Sequence, residues 1–219
     1  MSWSTFKTHR VGLSNNPAKY LDITSNDDST FKIVRGDGLR IMDIDALGRI
    51  RDNSILFTGT FSNVAFIDIP NVITSAYDLY EIEVYDIVAR IDNSQLLFRG
   101  SVDNGATFLT NHYGSRMYGF GGTPYSYSDN GAASITLAGT VSNAGGGKYT
   151  LELKPTYSAS GTLYPRLSWA GGHFYQASGT EFACSGTGCC AVASSLNAFR
   201  LVMSAGNIDA KVIIRGINK

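Results

Sequence analysis

Three histidines and three cysteines are the side chains best suited to metal binding or nucleophilic work in this sequence, and their spacing argues against both. His9, His112 and His173 lie far apart, with no H-x-x-x-H or H-E-x-x-H pair. Cys184, Cys189 and Cys190 share one Gly/Ser-rich tract. An odd count cannot close a disulfide framework, and zinc would need a distant fourth ligand, His173 being the nearest imidazole. The tract reads as reduced thiols on a loop; no metal and no cofactor is expected. There is no G-x-S-x-G elbow for a nucleophilic serine. Glu81, Glu83 and Asp86 read as a solvated strand face rather than the acid–base pair of a glycan hydrolase. Gly119, Gly121 and Gly122 do not follow a strand and open a helix, so they make no phosphate-binding loop. The chain is not expected to be an enzyme.

Binding chemistry has more support. Tyr113, Tyr118, Phe120, Tyr125 and Tyr127 crowd one Gly/Ser/Asn-rich stretch, and Trp169, His173, Phe174 and Tyr175 another. Rigid aromatics among small polar residues offer contact area at low entropic cost. Tyr113, Tyr118, Tyr125, Tyr127, Trp169, His173 and Tyr175 are therefore the candidate ligand-binding residues. Neither stretch alternates cleanly, so both read as loops; the competing reading is packing beneath long loops or at a subunit contact. The sharpest local motif is structural. Ser101-Val102-Asp103-Asn104-Gly105-Ala106-Thr107-Phe108 matches the Asp-box pattern, in which Ser101, Asp103, Gly105 and Thr107 shape a tight turn over a packed aromatic.

The elements that must carry these residues are strands. Apolar and polar residues alternate with period two through Phe31–Arg35, Leu39–Asp45, Val64–Ile69, Asp78–Ile87, Gln95–Val102, Ser134–Val141, Lys148–Pro155, Tyr164–Trp169, Ala198–Ser204 and Ala210–Ile217. Only Ser194–Arg200 offers a turn of helix. Turn chemistry breaks the pattern at Asp37-Gly38, Asn130-Gly131, Gly145-Gly146-Gly147, Gly171-Gly172 and Gly206-Asn207. Such spacing predicts an all-β, antiparallel β-sandwich of jelly-roll type behind a short extended N-terminal segment. A composition shift near Pro70 places the division there: residues 1–70 for attachment or oligomerisation, 71–219 for the sandwich. The N-terminal part has too little apolar mass for a core of its own, so burial against another subunit or protein is expected.

Composition excludes other classes. Of the 219 residues 16% are charged, below the roughly 25% usual for a globular domain, and the formal net charge is zero. No positive field exists to gather phosphates, so nucleic acid is not an expected partner. No apolar run is long enough to span a bilayer and the N-terminus has no secretory pattern, so a soluble, cytoplasmically made protein without membrane insertion is expected.

The segment AYDLYEIEVYDIVARIDNSQLLFRGSVDNGATF resembles one found in bacteriophage and prophage virion proteins of the tail-fibre and structural kind. There a Tyr-rich strand, a polar turn and an LLFR-type strand lead into an S-x-D-G-G-A-T-F turn, whose first Gly is Asn104 here. The ending FRLVMSAGNIDAKVIIRGINK is similar to the close of such proteins, and FKIVRGDGLRIMDIDALGRIR to short repeats that precede the heads of trimeric phage fibres. The resemblance implies a virion structural protein, a fibre, spike or decoration protein made in the host cytoplasm. It implies a homotrimer that contacts other virion proteins and, through its aromatics, a host surface glycan. A free carbohydrate-binding module is the alternative, and a glycan-degrading enzyme ranks behind it.

Overall fold

A computed structural model describes the backbone of residues 9–12, 20–25, 31–35, 40–44 and 50–51. It also describes residues 55–217 except 121–122, 144–145, 157–163 and 176–179, with backbone alone at 118, 120, 123–124, 174–175 and 180. The described residues are strands and connections without a helix, and the chain divides into two compact units, Met1–Ile55 and Leu56–Lys219. The division falls upstream of the expected boundary near Pro70, because Phe66–Ile69 pairs with Ala198–Met203 inside the second unit. The turns expected at Asp37-Gly38 and Gly145 lie outside the described residues.

The first unit contains one antiparallel meander: β1 (His9–Gly12), β2 (Tyr20–Ser25), β3 (Phe31–Arg35), β4 (Arg40–Ile44) and β5 (Ile50–Arg51), paired in chain order. Its register sets Ile23 opposite Ile33 and Ile33 opposite Met42, while Phe31 faces Ile44 and Ile44 faces Ile50. Directly paired residues share a face of a sheet, as do residues two apart on one strand. Ile23, Phe31, Ile33, Met42, Ile44 and Ile50 therefore fall on one face, together with Leu21, His9, Ser25 and Arg35. Asp22, Thr24, Lys32, Asp43 and Arg51 fall on the other.

The second unit is an antiparallel sandwich. Its strands are β6 (Ile55–Val64), β7 (Phe66–Ile69), β8 (Leu79–Ala89), β9 (Ser94–Ser101), β10 (His112–Phe120), β11 (Thr123–Ala132), β12 (Ile135–Val141), β13 (Gly147–Lys154), β14 (Arg166–Tyr175), β15 (Thr180–Cys190), β16 (Ala198–Met203) and β17 (Ile208–Ile217). Eight form one sheet in the order β11-β10-β15-β14-β13-β8-β17-β6, and four form the other, β12-β9-β16-β7.

Strict alternation explains the packing. On β8, Tyr80, Ile82 and Val84 are buried while Glu81 and Glu83 point outward; β17 does the same with Val212 and Ile214, and β13 with Tyr149, Leu151 and Leu153. Ile67, Ile69, Phe98, Phe199 and Leu201 of the small sheet close the core from the other side, Phe98 stacking on Phe199 at 5.5 Å. Burying each such side chain contributes about 1.5–3 kcal/mol. On the outward faces Arg215 bridges Glu81 and Glu83.

Three local expectations are corrected. Gly171-Gly172 is no turn but the middle of β14, where each glycine lies against a neighbouring strand. Asn130-Gly131 is a bulge within β11: Ala132 pairs with His112 and Asn130 with Tyr113, leaving Gly131 extra at φ 62°, in the left-handed region that suits glycine. Ser194–Arg200 forms no helical turn; it leads directly into β16.

Candidate functional site

The two sheets differ in width, and the strands that carry most of the candidate aromatics lie at the far edge of the wide one. Both aromatic-rich stretches, expected as loops, are strands: β10 and β11 form a hairpin and β14 pairs with β15. On β10 the inward positions are His112, Gly114 and Arg116, and the outward ones include the exposed Tyr113 and Met117. On β11 Tyr125, Tyr127 and Asp129 share the face turned toward β12. Because β12 is the last strand of the narrow sheet, the two tyrosines remain about half exposed, at 51% and 52%.

They line a cleft of 390 Å³ with Arg116, Phe182, Thr140 and Gln95, closed by Asn93 and Gly139. The Arg116 guanidinium lies over the Tyr127 ring, 5.4 Å from its centroid. Arg116 is itself held by Asp129 at 2.8 Å, and Asp129 also accepts the Thr136 backbone N–H at 2.9 Å and its hydroxyl at 3.3 Å. This buried pair cancels its own charge and fixes the tyrosine wall against β12. Across the cleft, β12 is irregular, with register shifts between Thr136 and Ala138 and between Ala138 and Val141. Thr140 has φ 56° there, a conformation a β-branched residue adopts at a cost of about 1–3 kcal/mol. Two wider depressions, 890 and 830 Å³, lie on the outward face of the eight-stranded sheet. Glu83, Lys148 and Glu181 border the first; Tyr113, Glu152 and Arg166 border the second.

The other proposed ligand residues go elsewhere. Trp169 and His173 look exposed in the sequence but are core, 4% and 2% exposed. Trp169 Nε1 donates to the Leu137 carbonyl at 2.9 Å, fastening β14 to the facing sheet. His173 Nδ1 sits 2.6 Å from Tyr149 Oη, its ring stacked on Phe182 at 5.6 Å. Burial pushes its pKa down to about 4, opposed by the Gly139 backbone. His112 is equally buried: Nδ1 lies 3.2 Å from the Ala132 carbonyl and Nε2 accepts the Gly100 N–H at 3.3 Å, which ties the two sheets together with a neutral ring. Burial lowers its pKa too, with the Ala132 carbonyl opposing. Tyr118 pairs with Tyr125 and Tyr175 with Thr180 along the backbone, while their side chains lie outside the described residues. Tyr113 occupies the opposite face of the sheet from the cleft. Arg116, Phe182, Thr140, Gln95 and Asn93 were not singled out from the sequence. Arg116 alone left a signal, a cation inside a tyrosine-rich stretch.

The Asp-box turn has the geometry its residues require. Asp103 accepts from Ser101 Oγ at 2.7 Å, from the Thr107 N–H at 2.9 Å and from Thr107 Oγ1 at 2.6 Å. The Gly105 N–H donates to Ser101 Oγ. Gly105 has φ 86° and Asn104 φ 59°, so asparagine fills a left-handed position that it tolerates better than most residues. The Thr107 and Ser101 bonds hold the Asp103 carboxyl down at about 2. Phe108 packs on the Arg200 guanidinium at 4.1 Å, with Phe66 on its other side at 3.8 Å and Asp68 chelating it at 2.6 and 2.8 Å. The motif is a scaffold that locks the start of β16, through Asn197, to the end of β9.

The cysteines are on strand β15, not on a loop, and none is in a disulfide. Cys184 and Cys190 are buried, which pushes their thiols up to about 11 and about 12; Cys189 is half-buried on the outward face. Among the described residues no cluster of three or more His, Cys, Asp or Glu is placed to hold a metal ion. Since the thiolate is the reacting form, Ellman's reagent at pH 8 is expected to modify Cys189 rapidly and Cys184 and Cys190 only on unfolding. Three thiols reacting together in the native protein would contradict this placement.

No protein-family model matches the chain, and no curated protein matches it.

Proposed function

We propose that the chain is a structural protein of a bacteriophage virion, a fibre, spike or decoration protein that works as a homotrimer in particle assembly or host-surface adhesion. The observation that carries this reading is the five-stranded meander of the first unit, with Ile23, Phe31, Ile33, Met42, Ile44 and Ile50 registered on one face and mostly polar residues on the other. A one-layer sheet with a mainly apolar face needs a second layer. The same face of two further copies supplies one under three-fold symmetry. The sequence resemblance to trimeric fibre stems and to virion segments around the Asp-box points the same way. The sandwich adds a head in which the buried His112 ties the two sheets together rather than facing a substrate.

A free carbohydrate-binding module is the second reading, favoured by the tyrosine cleft alone, and it does not require assembly. Native mass spectrometry of the full chain separates the two. The expected result is a three-chain mass at micromolar concentration, with backbone amides of β2 to β4 among the slowest to exchange. A monomer that protects those same amides would refute the assembly reading.

A further inference from the structure

We infer that the cleft between β11 and β12 is a binding subsite for a short neutral saccharide, which stacks on Tyr125 and Tyr127. This deepens the adhesive half of the reading above and rests on it.

A pyranose ring is amphipathic: its C–H faces are apolar and its rim carries vicinal hydroxyls. The cleft matches both parts. Tyr125 and Tyr127, two residues apart on one strand, present half-exposed rings on the same face, and Phe182 adds a third aromatic surface. The rest of the lining includes residues that hydrogen-bond without charge, Gln95, Asn93 and Thr140. Among the described residues that line the cleft the one cation, Arg116, is already neutralised by Asp129, so an anionic ligand finds no unpaired positive charge among them.

The walls are built rather than adaptable. Tyr127 is backed by Arg116, Arg116 is fixed by Asp129, and Asp129 is anchored to the Thr136 backbone of the opposite wall. Ring and strand therefore lose little freedom on binding, the condition under which a small contact gives measurable affinity. At 390 Å³ the cleft falls within the range of about 300–1,000 Å³ typical of small-molecule sites. It is short for an extended peptide, whose recognition along an edge strand would need a longer row of side-chain pockets.

The test is a glycan array of neutral and acidic oligosaccharides probed with the full chain, followed by calorimetry on the best binder. The expected result is binding to neutral members that survives 0.5 M NaCl. Tyr125→Ala or Tyr127→Ala should each weaken it about fivefold to tenfold while the melting temperature stays nearly constant. Gln95→Ala, which leaves the ring pair intact, should weaken it as well, and Tyr113→Ala on the opposite face should not. Absence of binding across the array, preference for acidic glycans that salt abolishes, binding to proline-rich peptides instead, or affinity unchanged in both tyrosine variants would each overturn the site. Native mass read on the same sample keeps the two proposals apart. A trimer that binds no saccharide removes this site alone, and a monomer that binds one removes the virion assembly alone.

Discussion

Alanine at Gly171 or Gly186 is expected to destabilise the sandwich by about 3 kcal/mol, the upper end of the usual cost of overpacking. Both glycines lie on the inward face directly beneath an aromatic of the neighbouring strand: Tyr149 pairs with Gly171 and Trp169 pairs with Gly186. A methyl at Gly171 would meet the Lys148 carbonyl and would come within 2.7 Å of the Tyr149 backbone. One at Gly186 would meet the Trp169 ring and lie 2.6 Å from the Ser115 carbonyl. Backbone atoms of a central strand cannot retreat as a flexible side chain would, and Trp169 is tethered through its Nε1–H to Leu137. For a domain of this size that loss corresponds to a fall of roughly 6–12 °C in melting temperature. Gly119 is the control, because among the described residues nothing lies within 4 Å of its added carbon. Its alanine variant should melt within a degree or two of the parent, and an equal response at all three positions would show that chain entropy rather than the aromatic-over-glycine fit governs these sites.

The same glycines explain what the sequence hid. Period-two alternation recovers β3 with matching bounds, and β8, β9, β12, β13, β16 and β17 to within two residues; in these last six the buried positions are mostly Ile, Val, Leu, Tyr or Phe. On β15 the inward positions are Phe182, Cys184, Gly186, Gly188 and Cys190, small where Trp169 and Ile135 press in, so the strand reads as a Gly/Ser loop. On β10 the usual sign is inverted: polar His112 and Arg116 are buried, and Tyr113 and Met117 are exposed. Hydrophobic patterning cannot report a strand whose inward side chains are held by polar bonds, His112 to Gly100 of the facing sheet and Arg116 to Asp129 of the next strand.

The candidate site shows the same split. The Asp-box turn was legible because its donors and acceptors lie within a few residues of one another, so local chemistry determines it. The cleft was half legible. Tyr125 and Tyr127 are conspicuous in sequence, but Gln95, Thr140 and Phe182 reach them only through the pairing order of two sheets, which no local pattern encodes. Trp169 and His173 misled for the converse reason. They are aromatic and lie beside Gly171-Gly172, and the glycines that make room for them, Gly186 against Trp169 and Gly147 against His173, lie on neighbouring strands.

Mild acid should weaken the sandwich well before its carboxylates titrate. His173 is expected to contribute up to about 3 kcal/mol of stability at neutral pH, the free energy equivalent of holding an imidazole at about 4 against 6.5 in the unfolded chain. A lowered folded-state pKa means that the unfolded chain binds the proton more readily. The contribution is therefore complete above pH 6.5 and is lost progressively as pH falls toward 4. His112, shifted in the same direction by the same burial, adds to the slope. Asp103, held at about 2, keeps its charge throughout, so the Asp-box turn does not contribute in this window. Urea unfolding at pH 7.5, 6.5, 5.5 and 4.5 measures the effect, the first three points lying above the range where ordinary carboxylates titrate. The midpoint should change little between the first two and then fall steeply. His173→Gln should be less stable at pH 7.5, having lost the fit to Tyr149 and Phe182, yet should show a shallower decline, the remainder being that of His112. A midpoint that stays flat from pH 7.5 to 4.5 in the parent protein would mean that neither imidazole is held neutral by the core.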